Sequence, residues 1–478
     1  MFFADNKAGS QLAMRLVKRG EAVRLAPGVF ARGNQRDAIT AVTRHWRAIV
    51  AREVPGAVIT DRSGPDPRPQ AGRLYVSHPT RRRPLILPGL TVESRLGPGP
   101  IDGDVPITDG LWAASPQRWI LDNTRHSRDC GTGRRTFDDH ELATAVDHLA
   151  SIAEGRLGNV RDAMEQIADH AGAGVDAARA DALLGAAMGT RPDVASASEA
   201  LTSRQRGRPV DWSRIALFDR AAEELAAGPS VEHPVHPTET LAFFEAYFSN
   251  YIEGTTFELF EAADIVMRGH RPEHRAHDTD DVLSTYALAT DALSDTVAST
   301  GEEFVELVLQ RHSRLMAHRP HTEPGRIKSI RNRVGDHMFV DPAHVYGTLL
   351  AGWDRIDALQ TPFQRAVMTH LVIVETHPFI DGNGRVARLG LNAELSAGGQ
   401  LRLVIPTVFR NDYFAGLRAV TVNGLIDPHV RIMRFVWDWT ASVDWSEYQK
   451  THDDMVASNA LNAPEAADDG HGLRWVEH

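Results

Sequence analysis

Residues 377–388 read His-Pro-Phe-Ile-Asp-Gly-Asn-Gly-Arg-Val-Ala-Arg and constrain this chain more than any other stretch. Apolar residues at helical spacing run through 362–375 and resume at Val386, Leu389, Leu391 and Leu395. The stretch between is a turn that opens a helix. Gly382 and Gly384 flank Asn383, let the backbone turn sharply and bring N–H groups close to an anion. The helix N-terminus beyond them favours negative charge. Arg385 and Arg388 share one face and can fork onto phosphate oxygens. Asp381 is a candidate ligand for an ion that bridges phosphates, Mg2+ or Mn2+. His377 titrates where a base for an attacking hydroxyl is useful. Together these residues describe a phosphate site with a base at its mouth.

Gly-Asn-Gly ahead of a helix also serves as a plain turn or cap. The whole string carries more. It resembles the Fic (Fido) family signature, His-Pro-Phe-x-(Asp/Glu)-Gly-Asn-Gly-Arg-x-x-Arg, at every fixed position, with Asp381 in the Asp/Glu slot. The resemblance implies a mainly α chain whose residues 206–443 form an all-α Fic core with a β-hairpin flap. It further implies ATP as substrate, His377 as catalytic base, Asp381 at the metal, and Gly382, Asn383, Gly384, Arg385 and Arg388 at the phosphates.

A second constellation lies upstream. Residues 237–254 place Phe243, Phe244, Tyr247, Phe248 and Tyr251 along one side of a helix, a stripe suited to core packing. The end of that helix, Ser249-Asn250-Tyr251-Ile252-Glu253-Gly254, resembles the inhibitory motif (Ser/Thr)-x-x-x-Glu-(Gly/Asn) of many Fic proteins. A carboxylate at Glu253 can pair with Arg388 where a terminal phosphate would otherwise lie. A nucleotide that binds without that clamp holds its α-phosphorus out of line with an attacking oxygen. The plain alternative for Glu253 is a surface residue at a helix end.

Two further assignments follow from the same resemblance. The hairpin that positions a target segment falls in 325–342, with Ile327, Ile330, Val334 and Gly335 as flap residues. Such an edge docks an extended peptide through backbone bonds; a connecting loop is the alternative. Arg410-Asn411-Asp412-Tyr413-Phe414 resembles the segment whose Asn and Tyr approach the nucleobase, which assigns Asn411 and Tyr413 there. Asn411 is equally suited to cap the helix it opens. Strands are expected at 333–340 and 402–405.

The single cysteine, Cys130, excludes an intrachain disulfide and fits a reducing compartment. No apolar run approaches the length of a membrane span and no signal-peptide pattern opens the chain, so a cytoplasmic protein is expected. The net charge of −11 is uneven: residues 1–135 hold 22 Lys+Arg against 12 Asp+Glu, and the rest 30 against 51. A basic first part on an acidic body is a hint of nucleic-acid contact.

That first part reads as a short helix capped by Ser10, carrying Leu12, Leu16 and Val17, followed by a strand pair turned at Pro27-Gly28. It resembles the winged-helix start of AbiEi-type antitoxins and regulators. Arg15, Lys18, Arg19 and Arg24 are then candidate contacts to DNA phosphates; a solvated helix face is the alternative. Helices are expected at 38–50 and 111–123, the latter with Trp112 and Trp119 in a core. The expected organisation is a basic α+β, winged-helix-like module (1–135), a helical connector and linker (136–205), the Fic domain (206–443) with an inhibitory helix at 237–254, and a polar tail, frayed or disordered (444–478).

The resemblance implies a self-inhibited AMP transferase that moves AMP from ATP to a Ser, Thr or Tyr hydroxyl of a protein target. Alternatives that use the same residues are removal of AMP, with Glu253 orienting a water, and transfer of another phosphate-containing group. A different class is a DNA-binding regulator whose Fic half senses nucleotide or modifies its own first module.

Overall fold

Proline and glycine punctuate the first part of the chain into short elements. In the computed structural model these are β1 (Phe2–Phe3), α1 (Lys7–Lys18), β2 (Ala22–Ala26), β3 (Val29–Arg32), α2 (Gln35–Glu53), β4 (Ala57–Ile59), β5 (Arg73–His78), β6 (Leu85–Leu87), β7 (Leu90–Leu96), β8 (Val105–Thr108), β9 (Leu111–Ala113), α3 (Pro116–Asn123), α4 (Asp139–Ile152), α5 (Leu157–Ile167), α6 (Ala177–Ala187) and α7 (Glu199–Gln205). The structure describes all residues except 5, 82, 128–132, 154, 192–197, 235–237, 336 and 477–478, so Cys130, part of the expected linker and Pro237 lie outside the described residues. The described chain divides into two units, Met1–Gly207 and Arg208–His478.

In the first unit β1, β3 and β2 form a three-stranded sheet in that order, and β6-β7-β5-β4-β9-β8 form a mixed six-stranded one. The β2–β3 hairpin turns at Gly28, whose φ of +71° is a conformation glycine adopts without cost. α1 starts earlier than the sequence suggested: Asn6 is the cap, accepting from the Gly9 N–H, and Ser10 lies inside the helix. The expected helix at 111–123 is two elements. Leu111–Ala113 pairs parallel to β4, and the helix begins only at Pro116, which fits the first turn because its missing N–H is not needed there. Residues 136–205 are more than a connector. Leu142, Val146, Leu184 and Leu201 share one buried cluster with Val58, Ala114, Trp119 and Ile120, since the apolar faces of α4, α6 and α7 close on α3 and the sheet.

The second unit is helical: α8 (Trp212–Ala227), α9 (Glu239–Ile252), α10 (Leu259–Arg268), α11 (Ala276–Thr290), α12 (Gly301–Leu315), β10 (Arg333–Val334), β11 (His337–Met338), α13 (Pro342–Asp357), α14 (Pro362–Thr376), α15 (Asn383–Ala397), α16 (Arg410–Asn423), α17 (Asp427–Ala441) and α18 (Tyr448–Ala457). Its centre is the α14–α15 pair. α14 starts with Pro362 in the first turn and a capping box between Thr361 and Gln364. Val367, Val372, Ile373, Val386, Leu391 and Leu395 are buried between the two helices and their neighbours. Each such side chain contributes about 1.5–3 kcal/mol of burial free energy, so the turn joining the helices is held from both sides.

The expected strand at 402–405 is absent among the described residues. Asn392 takes the Leu403 N–H and donates to the Leu403 carbonyl, and Thr440 takes the Val404 N–H, so side chains replace a ladder. The expected strand at 333–340 is a pair of two-residue strands turned at Gly335, φ +58°. The tail is ordered through α18. Trp445 and Tyr448 pack on Phe244 of α9, with ring centroids 6.0 and 5.9 Å away, and Met455 is buried in the same cluster. Three apolar side chains on one face outweigh the polar composition around them. No helix is long and apolar enough to cross a membrane among the described residues.

Candidate active site

The turn between α14 and α15 bends through two left-handed residues, His377 at φ +52° and Gly382 at φ +79°. For histidine this conformation is costly, so the surroundings must impose it. The Phe379 N–H donates to Asn383 Oδ1 and Asn383 Nδ2 donates back to the Phe379 carbonyl, both at 2.9 Å. The side chain of Asn383 therefore ties the loop, leaving its backbone N–H at the helix start. Gly382 caps α15 and, among the described residues, no side chain caps it, which leaves the first amides of the helix for an anion.

His377 is held by two contacts. Its Nδ1 lies 3.3 Å from the Val374 carbonyl, which assigns the proton to Nδ1 and leaves Nε2 as the acceptor. The Phe339 ring stacks on it at 3.8 Å and 11°. Burial, and then the Lys328 charge, push its pKa down to about 4, so the imidazole is neutral at pH 7.

Lys328 and Asn332 fasten the segment ahead of the β10–β11 hairpin to this loop. The Lys328 N–H donates to the Pro378 carbonyl at 2.9 Å, and Asn332 Nδ2 donates to the Phe379 carbonyl at 2.9 Å. Lys328 Nζ donates to Asn332 Oδ1 at 2.6 Å, and the Phe339 N–H to the Asn332 carbonyl at 3.2 Å. Beneath the loop His312 stacks on Phe379 at 3.6 Å and bonds the Asp381 carbonyl through Nε2, while Nδ1 accepts from the Gly325 N–H. Of the expected flap residues, Val334 and Ile330 are exposed, Gly335 makes the hairpin turn, and Ile327 packs against the core.

Asp381 keeps a half-exposed carboxylate. One oxygen accepts the Gly382 N–H at 2.7 Å and Arg385 approaches to 3.8 Å. One open carboxylate beside a free helix N-terminus suits a hard dication that takes its remaining ligands from phosphates and water.

The two arginines differ. Arg385 is buried against Asp281 of α11, Nη1 to Oδ1 2.7 Å. Asp281 also receives Arg319 at 2.5 Å and His318 at 2.9 Å. Burial opposes the Asp281 charge, but Arg385 and Arg319 outweigh it and hold its carboxyl below the ordinary range. Arg388 is also buried. Its Nε donates to Ser249 Oγ at 2.9 Å, and its Nη2 to the Ser249 carbonyl at 2.9 Å and Glu253 Oε1 at 2.7 Å. A Cβ added to Gly384 would lie 2.3 Å from Glu253 Oε1, so this carboxylate sits on the first turn of α15.

Asn411 and Tyr413 are not paired at an open face. Asn411 is exposed, and α16 is preceded directly by a 3-10 turn at Thr407–Phe409, so Phe409 and not Asn411 is its cap. That register turns Tyr413 inward, where it is 1% exposed with its hydroxyl toward Arg388 and His370.

A family model, described as the Fic/DOC family, matches residues 304–395, which include the α14–α15 turn. This chain carries a Fic domain. Similar curated proteins include "Protein adenylyltransferase Fic" of Drosophila erecta, 28% identical over 247 residues, covering 50% of this chain and 50% of that one. The protein of the same name from Nematostella vectensis is 28% identical over 246 residues, covering 49% and 57%. The chain thus spans about half the length of the curated relatives it matches. Among solved structures, Fic-1 (aa134–508) from C. elegans is 21% identical over 67% of this chain and 95% of that chain, TM-score 0.36. A Fic domain-containing signaling protein from Bacteroides thetaiotaomicron is 16% identical over 48% and 92%, TM-score 0.38.

Sequence reasoning missed Asp281, His312, Lys328, Asn332 and Phe339. Each reaches the His377–Arg388 stretch from another element, and none carries a local signal.

Proposed function

We propose that this chain is a protein adenylyltransferase held off by its own Glu253. The observation that carries the reading is the 2.7 Å pair between Glu253 and Arg388, set on the uncapped start of α15 behind a neutral His377. ATP lays its phosphates on the amides at the start of α15, and Arg388 takes the terminal phosphate once Glu253 withdraws. Arg385, already committed to Asp281, adds positive charge without leaving its partner. Asp381 is the residue that would hold Mg2+ or Mn2+, which when bound supplies charge neutralisation at the phosphates.

His377 Nε2 accepts the proton of a target Ser, Thr or Tyr hydroxyl, with the Nδ1–H fixed on Val374 and the ring face on Phe339. The hydroxyl oxygen bonds to the α-phosphorus, the bond from that phosphorus to the bridging oxygen breaks, and pyrophosphate leaves. The amides at the α15 N-terminus meet charge that develops on the α-phosphate. Val334 on the exposed hairpin edge offers its strand to an extended target segment. The test is transfer from ATP labelled at either end, using Glu253→Gly protein and a lysate. Label in the α-phosphate stays on protein and label in the γ-phosphate does not; retention of both excludes AMP transfer.

A second reading concerns the first unit. Arg15, Lys18 and Arg19 at the end of α1 and Arg24 on β2 are all exposed, and together make a cationic face suited to DNA phosphates. Gel shifts at low salt test it, and no retardation there removes the reading.

A further inference from the structure

Arg388 has a partner that the inhibitory helix does not supply. Three of its contacts, to Ser249 Oγ, the Ser249 carbonyl and Glu253, come from α9 and the residue that ends it. From the other side its Nη1 donates to Tyr413 Oη at 3.4 Å. That hydroxyl lies 2.8 Å from Nε2 of His370, a fully buried residue of α14. Burial, then His429 and Arg388, hold His370 well below the ordinary imidazole range, so its ring is neutral and Nε2 can accept. A tyrosine hydroxyl has one proton. With that proton on the His370 side, the Oη lone pairs face Arg388, and the chain Arg388 to Tyr413 to His370 runs in one direction. His429 stacks on His370 at 5.4 Å and 15° and fixes the ring from behind.

We propose that Tyr413, oriented by His370, is a positioning residue that keeps the Arg388 fork turned toward the terminal phosphate when Glu253 leaves it. The inference rests on the reading of Arg388 as the phosphate clamp. Glu253 and Tyr413 hold different guanidinium nitrogens, Nη2 and Nη1. Loss of Glu253 leaves Nη2 on the Ser249 carbonyl and Nε on Ser249 Oγ, both from α9, so without Tyr413 the fork is held from that helix alone and turns with it. An anchor on the α14–α16 scaffold keeps the fork preorganised, whichever way α9 and Glu253 move.

The test is calorimetric binding of ATP and ADP to Glu253→Gly protein and to variants in that background. The terminal phosphate that distinguishes ATP is the one Arg388 meets, so Glu253→Gly prefers ATP. Tyr413→Phe removes one oxygen and reduces that preference by about tenfold, the worth of a hydrogen bond to a charged group, with ADP affinity retained. His370→Leu does the same. His370→Gln, which keeps an acceptor at the reach of Nε2, retains the preference. A Tyr413→Phe variant with unchanged preference overturns the inference and leaves the clamp intact. Equal loss of ATP and ADP affinity reveals a merely structural role and also overturns it. Absence of any ATP preference in Glu253→Gly itself overturns the clamp reading, and the inference with it.

Discussion

Glu253 Oε1 lies 2.7 Å from Arg388 Nη2 and 2.3 Å from the point where a side chain on Gly384 would begin. The carboxylate therefore occupies the arginine and the helix start together. Burial works against the Arg388 charge, but Glu253 and Tyr413 outweigh it and raise its pKa above the ordinary value.

Gly384→Ala brings a methyl group into the space of that carboxylate. The carboxylate is the far end of a flexible side chain and gives way, so the cost falls on its bond to Arg388, about 1 kcal/mol in the Glu253 protein, and much less in the Glu253→Gly background, where the obstacle is gone. Urea unfolding of the four proteins in the cycle checks this. Equal costs in both backgrounds contradict the close approach.

Asp281 is the counter-charge of Arg385 and Arg319. Asp281→Ala takes from the buried Arg385 its 2.7 Å carboxylate and leaves only longer contacts, Asp381 at 3.8 Å among them; it costs about 3 kcal/mol, measurable by denaturant unfolding. The same substitution at Asp278, half-buried and paired with Arg275 near the surface, costs under about 1 kcal/mol.

His377 sits at a pKa of about 4 through burial and Lys328. A histidine with a depressed pKa becomes protonated only at lower pH, so it stays a competent acceptor below the ordinary imidazole value of about 6.5. The transfer rate of Glu253→Gly protein then keeps its acid limb below pH 6. Lys328→Met removes a neighbouring cation, raises the His377 pKa and moves that limb upward. A limb at the ordinary value in both proteins contradicts the assignment.

Burial also links pH to stability. The fully buried His429 is held near a pKa of about 4, so between pH 6.5 and 4 the unfolded chain binds a proton there that the native state does not. Its contribution makes stability fall as pH drops through that window and is absent above it. His429→Phe flattens this part of the stability–pH curve, and an unchanged slope contradicts the burial.

How much of this could be read from the chain depended on sequence distance. The His377–Arg388 loop and the four-residue step from Ser249 to Glu253 are local, so their resemblance to the Fic signature and inhibitory motif could be seen in the sequence. Asp281, Lys328 and His370 act across packed helices, and nothing near them in sequence marks a partner more than forty positions away. Tyr413 was expected near a nucleobase, but its burial beside Arg388 and His370 had no signal in the sequence: a 3-10 turn ahead of α16 starts the helix at Arg410, with the ring inward. The tail was misjudged on composition, because Trp445, Tyr448 and Met455 suffice to dock it on the aromatic face of α9.

The central claim is that one carboxylate restrains a site whose base is His377. Its most direct test compares purified wild-type, Glu253→Gly and Glu253→Gly/His377→Ala proteins incubated with α-labelled ATP and a lysate. The account predicts weak labelling of protein by the wild type, strong labelling by Glu253→Gly, and none by the double variant. A double variant as active as Glu253→Gly, or a single variant no more active than wild type, would contradict it.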